Sequence, residues 1–351
     1  MTDLGDLSLL LITGAMTAYL VAMIAFAIDL SRLRSGVEDA RPRKAAGIAM
    51  ATMWLGAIFH LAGLLTRGLA AGRVPWANMY EFTISSTFVA VAVFLAVQRR
   101  RDIRYLGTFV ALVSVLSLFL ALSVLYVAPD GVMPALQSYW LVIHVSIAAA
   151  AVGVFALAAV ASGLQLAKDV SDTRASARAA APVAADEPAV ALAGATSVTT
   201  SSARVDGRPG RNATAGRGGQ AARGATGAPA ARPTRGGTVA RRVLASLPSA
   251  DDLERFSYRL NAVGFILWTF TLIAGAIWAE HAWGRYWGWD AKEVWTFVVW
   301  VVYAAYLHAR STRGWEGRRA AYFSLAGFAS ILINYYVVNF FFTSLHTYSG
   351  V

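Results

Sequence analysis

"LSLLLITGAMTAYLVAMIAFAIDL", Leu7–Leu30, carries a single charged residue, Asp29. At 1.5 Å of rise per residue, a helix of this length reaches about 36 Å, enough to cross the roughly 30 Å hydrocarbon core of a bilayer. The run is too long for the apolar segment of a secretory signal. No basic flank or small-residue cleavage site accompanies it, so it reads as a retained span. Similar runs recur outward along the chain, near Ala45–Leu65, Phe82–Val97, Tyr105–Val127, Tyr139–Leu166, Phe256–Ala279, Val294–Ala309 and Ala320–Phe342. The 351-residue chain is 57% apolar with a mean hydropathy of +0.52, beyond what a soluble domain carries. The expected fold class is an all-α polytopic membrane protein of about eight transmembrane helices.

Loop charge sets the expected orientation. Arg32, Arg34, Arg41, Arg43 and Lys44 follow the first run, Arg99, Arg100, Arg101 and Arg104 the third, and Arg310, Arg313, Arg318 and Arg319 the seventh. The amino tail, the loop 128–138 and the tail after Phe342 have no cation. By the positive-inside rule the arginine loops face the cytoplasm and both termini lie outside. The net charge of +11 is therefore topological. No basic stripe with interleaved aromatics accompanies it, so nucleic acid is not an expected partner. The chain has no cysteine, which excludes thiol–disulfide exchange and iron–sulfur ligation by its own side chains.

Residues 168–250 are rich in Ala, Gly, Arg, Pro, Ser and Thr and nearly free of aromatics. Such a composition buries too little apolar surface to offset ordering entropy, and it reads as a disordered cytoplasmic linker. Three regions are expected: 1–166 with five spans, the linker 167–252, and 253–351 with three spans.

Two sets of residues point to chemistry. The first is the histidines. His60 lies inside the second run, His144 opens the fifth at its outer end, His308 closes the seventh at its inner end, and His346 sits in the outer tail. Ionisable groups in spans are functional candidates because their desolvation must be offset, and histidine is the common axial ligand of haem iron. His144 and His346 share the outer level. His60 and His308 differ in depth, a poor arrangement for two ligands of one iron. His281 reads as an ordinary interfacial residue.

The second set is the stretch "HAWGRYWGWDAKEVW", His281–Trp295. A membrane-interface belt accounts for isolated aromatics such as Trp268 and Trp315, but not for this density broken by glycines and charges. Trp283, Trp287 and Trp289 offer rigid faces for stacking, and Gly284 and Gly288 allow a flat body near the backbone. Asp290, Lys292 and Glu293 can pair with one another, or Lys292 can meet a ligand carboxylate. A large flat macrocycle with two carboxylates suits these demands.

"WAEHAWGRYWGWDAKEVWTFVVWVVYAAYLHAR" (Trp278–Arg310), "PWANMYEF" (Pro75–Phe82), "SYWLVIHV" (Ser138–Val145) and the late "SLHTY" together resemble the WWD-domain haem-handling proteins. More narrowly, they resemble the CcsA/ResC branch of System II cytochrome c biogenesis. The resemblance covers most of the membrane part, but neither the first span well nor the linker. It implies haem b held at the outer face of the plasma membrane by Trp283, Gly284, Tyr286, Trp287, Gly288, Trp289 and Asp290. His144 and His346 would be its axial ligands. His308 would ligate haem on an export path, with its second ligand from a ResB/CcsB-type subunit, and His60 would be at most a contact. The implied activity is cytochrome c synthase (haem lyase), joining haem to apocytochrome c CxxCH motifs with thiol-reducing proteins acting indirectly. The alternatives are a haem transporter or delivery protein without attachment, and a haem-bearing electron-transfer subunit. Two departures stand out: Ala291 where the family usually has proline, and the bulky "NYYVVNFFFT" before "SLHTY".

Overall fold

In the computed structural model, residues 2–32, 44–131, 137–180, 243–342 and 345 are described. The linker expected at 167–252 falls mostly outside them, as do the tail residues from His346 onward.

The apolar runs fold as helices, since a chain in hydrocarbon must satisfy its backbone internally. They are α1 (Thr2–Arg32), α2 (Lys44–Ala71), α3 (Met79–Gln98), α4 (Arg104–Ser123), α5 (Tyr139–Ala180), α6 (Ala250–Trp283), α7 (Ala291–Arg313) and α8 (Arg318–Leu332). A π-helical turn, Ile333–Val337, and a final helical turn α9 (Val338–Phe341) extend α8. Polar side chains mark the starts: Asn78 Oδ1 accepts the Glu81 amide at 2.9 Å, and Ser249 Oγ accepts the Asp252 amide at 3.1 Å. Such caps satisfy amides that have no partner within the helix.

Among the described residues, seven helices are long and apolar enough to cross a membrane. These include every expected run except Val294–Ala309. That run does form a helix, α7, but its tryptophans, tyrosines and terminal charges lower its apolarity. Its contacts nevertheless place it across the full height of the bundle. At one end Lys292 bonds to residues beyond α8. At the other, Arg310 pairs with Glu254 in the first turn of α6. Its 23 residues reach about 34 Å. The chain is a multi-pass membrane protein, with seven candidate spans among the described residues and α7 standing beside them. α5 runs on past the expected span end at Leu166, as far as Ala180.

The helices form two groups. α1 pairs with α2 and α4, and α3 lies against α4 and α5. Their shared core includes Tyr19, Phe26, Met53, Ile84 and Phe94. α6, α7 and α8 surround a second core of Trp268, Val299, Tyr303 and Tyr306, with Phe155 of α5 stacked on Tyr303 at 3.9 Å. α5 belongs to both groups. It approaches α3 so closely that a Cβ on Gly153 would stand 2.8 Å from Ser86 O, the small-residue packing that substitutes for hydrophobic drive within lipid.

Buried polar groups hold each end. At the arginine-loop end, Glu254 accepts from Gln165 Nε2 at 2.9 Å and from the Gly317 amide at 2.8 Å, besides pairing with Arg310. At the opposite end, Glu81 is fully buried. It accepts from Arg67 Nε at 2.9 Å, Arg73 Nη1 at 2.7 Å and the Ala77 amide at 2.8 Å. Arg67 also donates to Val127 O at 2.7 Å. This cluster fixes the loop from α2 to α3 over the end where the tryptophan-rich segment lies.

Candidate functional site

The segment between α6 and α7 is built around Glu293. Gly284 ends α6 in the left-handed conformation, φ +70°, which a glycine adopts without cost. Asp290 caps α7, and Glu293 three residues on reaches back to the cap amide, completing a capping box. Glu293 Oε2 accepts from the Gly288 amide at 2.7 Å and the Asp290 amide at 3.1 Å. Its other oxygen lies 4.0 Å from Arg285 Nη1. The sequence signal for this arrangement is the D-x-x-E spacing ahead of an apolar run. Gly288 serves it too: a Cβ there would fall 0.8 Å from the Arg285 guanidinium. Among protein atoms, the space beside Gly288 is thus taken by Arg285.

A cavity of about 1250 Å³, counting its open mouth, lies beneath this loop. Its walls come from the α2–α3 loop (Trp76, Asn78), from α5 (His144, Ala148), from α6 (Trp268, Thr271, Trp278), from the loop and start of α7 (Tyr286, Trp287, Lys292, Glu293), and from the end of α8 (Asn334, Tyr335). The motifs "PWANMYEF", "SYWLVIHV" and the tryptophan loop therefore converge, although they are far apart in sequence. His144 Nδ1 lies 2.9 Å from Thr271 O. A carbonyl only accepts, so Nδ1 carries the proton and the neutral ring is the tautomer with an unprotonated Nε2. The ring stacks on Trp278, with planes 10° apart. Trp76 Nε1 is buried without a hydrogen-bond partner.

The other candidate residues are distributed differently. Trp287 lines the cavity. Trp289 is 77% exposed and meets Trp287 edge-on at 5.9 Å. Its φ of +60° is a costly conformation for a bulky residue. Trp283 packs edge-on against Trp278 at 4.8 Å. Neither Trp283, Gly284, Gly288, Trp289 nor Asp290 lines the cavity directly. Lys292 does, and it is committed to Asn334 O at 2.7 Å and Asn339 Oδ1 at 3.0 Å, not to Asp290 or Glu293. His60 is buried among α1, α2 and α3, where Tyr19 OH lies 3.2 Å from its Nδ1. His308 is exposed near the arginine-loop end of α7. These two share no contact and neither reaches the cavity. His281 is exposed and bonds to Ile277 O at 2.8 Å. His346 lies outside the described residues, but the amide of Leu345, just before it, donates to Asp290 Oδ1 at 3.2 Å.

Trp268 corrects the sequence reading. It is 4% exposed rather than part of an interfacial belt, and its Nε1 donates to Thr296 O at 3.0 Å in the cavity wall. The 3.6-residue spacing of Trp268, Thr271, Leu272, Gly275 and Trp278 on one face of α6 is the signal that locates it.

Residues 76–346 match the model of the family described as cytochrome C assembly protein. The chain belongs to that family. A cytochrome c biogenesis protein CcsA from Gloeobacter violaceus is 33% identical over 83% of this chain and 83% of its own length. Another from Synechococcus elongatus is 33% identical over 86% of each. The solved structure of the cytochrome c heme lyase CcmF superposes on 95% of this chain with a TM-score of 0.56 at 13% identity. This chain spans 46% of that protein's length, and the likeness is one of fold. This cytochrome c assembly protein therefore works in cytochrome c biogenesis.

Proposed function

We propose that the chain presents haem for covalent attachment to the CxxCH thiols of apocytochromes c, in complex with a ResB/CcsB-type membrane partner, at the extracytoplasmic face of the plasma membrane. The observation that carries this reading is the shared cavity: three separated family motifs form the walls of one chamber, with the His144 imidazole inside it. Its aromatic walls suit a flat apolar macrocycle, and the buried indole N–H of Trp76 lacks an acceptor that a ligand carboxylate would supply.

In this reading His144 and His346 ligate the iron, and the rings of Tyr286 and Trp287 exclude water from the macrocycle. The exposed Trp289, beside Trp283, Gly284, Gly288 and Asp290, shapes the rim. Each substrate thiol adds across a vinyl group, sulfur to one carbon and hydrogen to the other, so the step needs no external oxidant. The chain contributes placement, which turns an encounter between solutes into a reaction of neighbours. Thiol reduction falls to other proteins, consistent with a cysteine-free chain. His308 sits apart and suits a ligand shared with the partner on an export path. His60 is assigned no more than a contact.

Purified complex should show a bis-histidine haem spectrum. His144→Ala and His346→Ala should each lower bound haem and cytochrome c maturation by about tenfold or more. Unchanged haem and maturation in both variants would overturn the ligand assignment. Reconstitution with partner and apocytochrome separates attachment from transport: haem movement without thioether formation would leave a transporter.

A further inference from the structure

The end of α8 departs from α-helical geometry where it meets the cavity. Over Ile333–Val337 the chain makes a π turn, and the Val338 amide bonds to Ile333 O. In an α-helix that amide would serve Asn334 O, so the wide turn removes the usual donor of this carbonyl. Lys292 Nζ supplies one at 2.7 Å. The next carbonyl, Tyr335 O, accepts from Asn339 Nδ2 at 2.7 Å, and Asn339 Oδ1 in turn accepts from Lys292 at 3.0 Å. One ammonium and one amide thus close a ring of three bonds around the turn, and the ammonium comes from the first turn of α7, beside the tryptophan loop.

What the turn controls is Tyr335. Its hydroxyl donates to Met79 O at 2.6 Å and lies 2.8 Å from Thr83 Oγ1. Its ring lies 5.1 Å from that of Phe82. Tyr335, Phe82, Val152 and Ile331 line the main cavity. They also line a second one of about 690 Å³, again counting its open mouth, among α3, α4, α5 and α8, which carries the hydroxyls of Thr83, Ser86 and Ser114. The Phe82–Tyr335 pair is therefore the partition between the two chambers. Returning the π turn to α-helical register would rotate the residues after it by about 100° and pull Tyr335 from its bonds to α3.

We propose that Lys292 is a positioning residue: with Asn339 it holds the π turn Ile333–Val337, and through that turn it sets Tyr335 as the partition between the two cavities. Its part in haem handling rests on the function proposed above. Its hold on the turn does not, and the two are tested separately.

The structural arm uses haem-free protein in detergent and amide hydrogen exchange followed by mass spectrometry. Lys292→Met should speed exchange over 333–341 by about tenfold or more, the size expected on losing a charge-assisted hydrogen bond, and leave α1 and α2 unchanged. Lys292→Arg, which keeps charge and donors, should restore most of the protection. Asn339→Leu should reproduce the effect, and the double variant should be no worse than either single one, because both act on one turn. Unchanged exchange in Lys292→Met, or effects of the two substitutions that multiply, would overturn the proposal. The functional arm measures haem content and cytochrome c maturation. Loss in Lys292→Met with recovery in Lys292→Arg fits positioning. Full activity in Lys292→Met despite a loosened turn would show that the partition does not serve haem handling.

Discussion

Gly288 invites explanation as an open approach to a ligand, yet its nearest neighbour is the Arg285 guanidinium. The clash that a methyl group would create there is with the far end of a flexible side chain, so its cost depends on where Arg285 can go. Gly288→Ala should lower stability by about 1 kcal/mol, read as a reduced thermal midpoint of purified protein. Arg285→Ala should have little effect alone and should recover most of the loss in the double variant. Additive losses would place the cause elsewhere. The histidines show how far residue type and depth lead. His144 was legible as a residue level with the tryptophan loop, because its position at the end of an apolar run fixes its height, and the two line one cavity. Trp268 was not, because hydropathy alone does not separate a tryptophan facing lipid from one facing a cavity. The partners of Lys292 were hidden for a different reason: carbonyls released by a π turn leave no mark in composition.

The start of α7 shows what an element owes to its first residues. Asp290, with φ −62° and ψ 148°, is in the extended conformation that precedes proline readily, and Ala291 is the first residue within the helix, where proline is well tolerated. The proline usual in the family and the alanine here meet the same geometric demand. Ala291→Pro should be neutral or stabilise the protein by about 0.4–1 kcal/mol through a less free unfolded chain, as a raised thermal midpoint with unchanged haem content. A loss of either would mean that the amide of Ala291 is needed. Helices were the most legible elements, since each apolar run carries its own length and boundaries. The weakest was α7, whose aromatic side dilutes its hydropathy; only its contacts at both ends show that it stands at full height.

At the scale of the molecule, α5 joins two helix groups, and the sequence places a long low-complexity stretch after it. Glu254, Gln165, Arg310 and Gly317 tie α5, α6, α7 and the α7–α8 turn together at that end. Replacing residues 185–238 by a short Gly/Ser linker should leave cytochrome c maturation within about twofold of the intact chain, given how weakly closure entropy depends on loop length. Haem staining of cytochromes c in cells carrying the variant measures it, and a severe loss would assign that stretch a role beyond connection.

The bonds from Tyr335 to Met79 and Thr83 set an order of events during synthesis. The Arg67–Glu81 pair joins neighbours in one hairpin and can form while the ribosome is still making the rest of the chain. The partition joins residues separated by 256 positions, so it cannot close until the span that carries Tyr335 has been threaded into the bilayer. A chain released early would contain nearly all of the aromatic residues and still lack a finished chamber. The wall of the chamber is thus finished only after the helix that carries Tyr335 has been made.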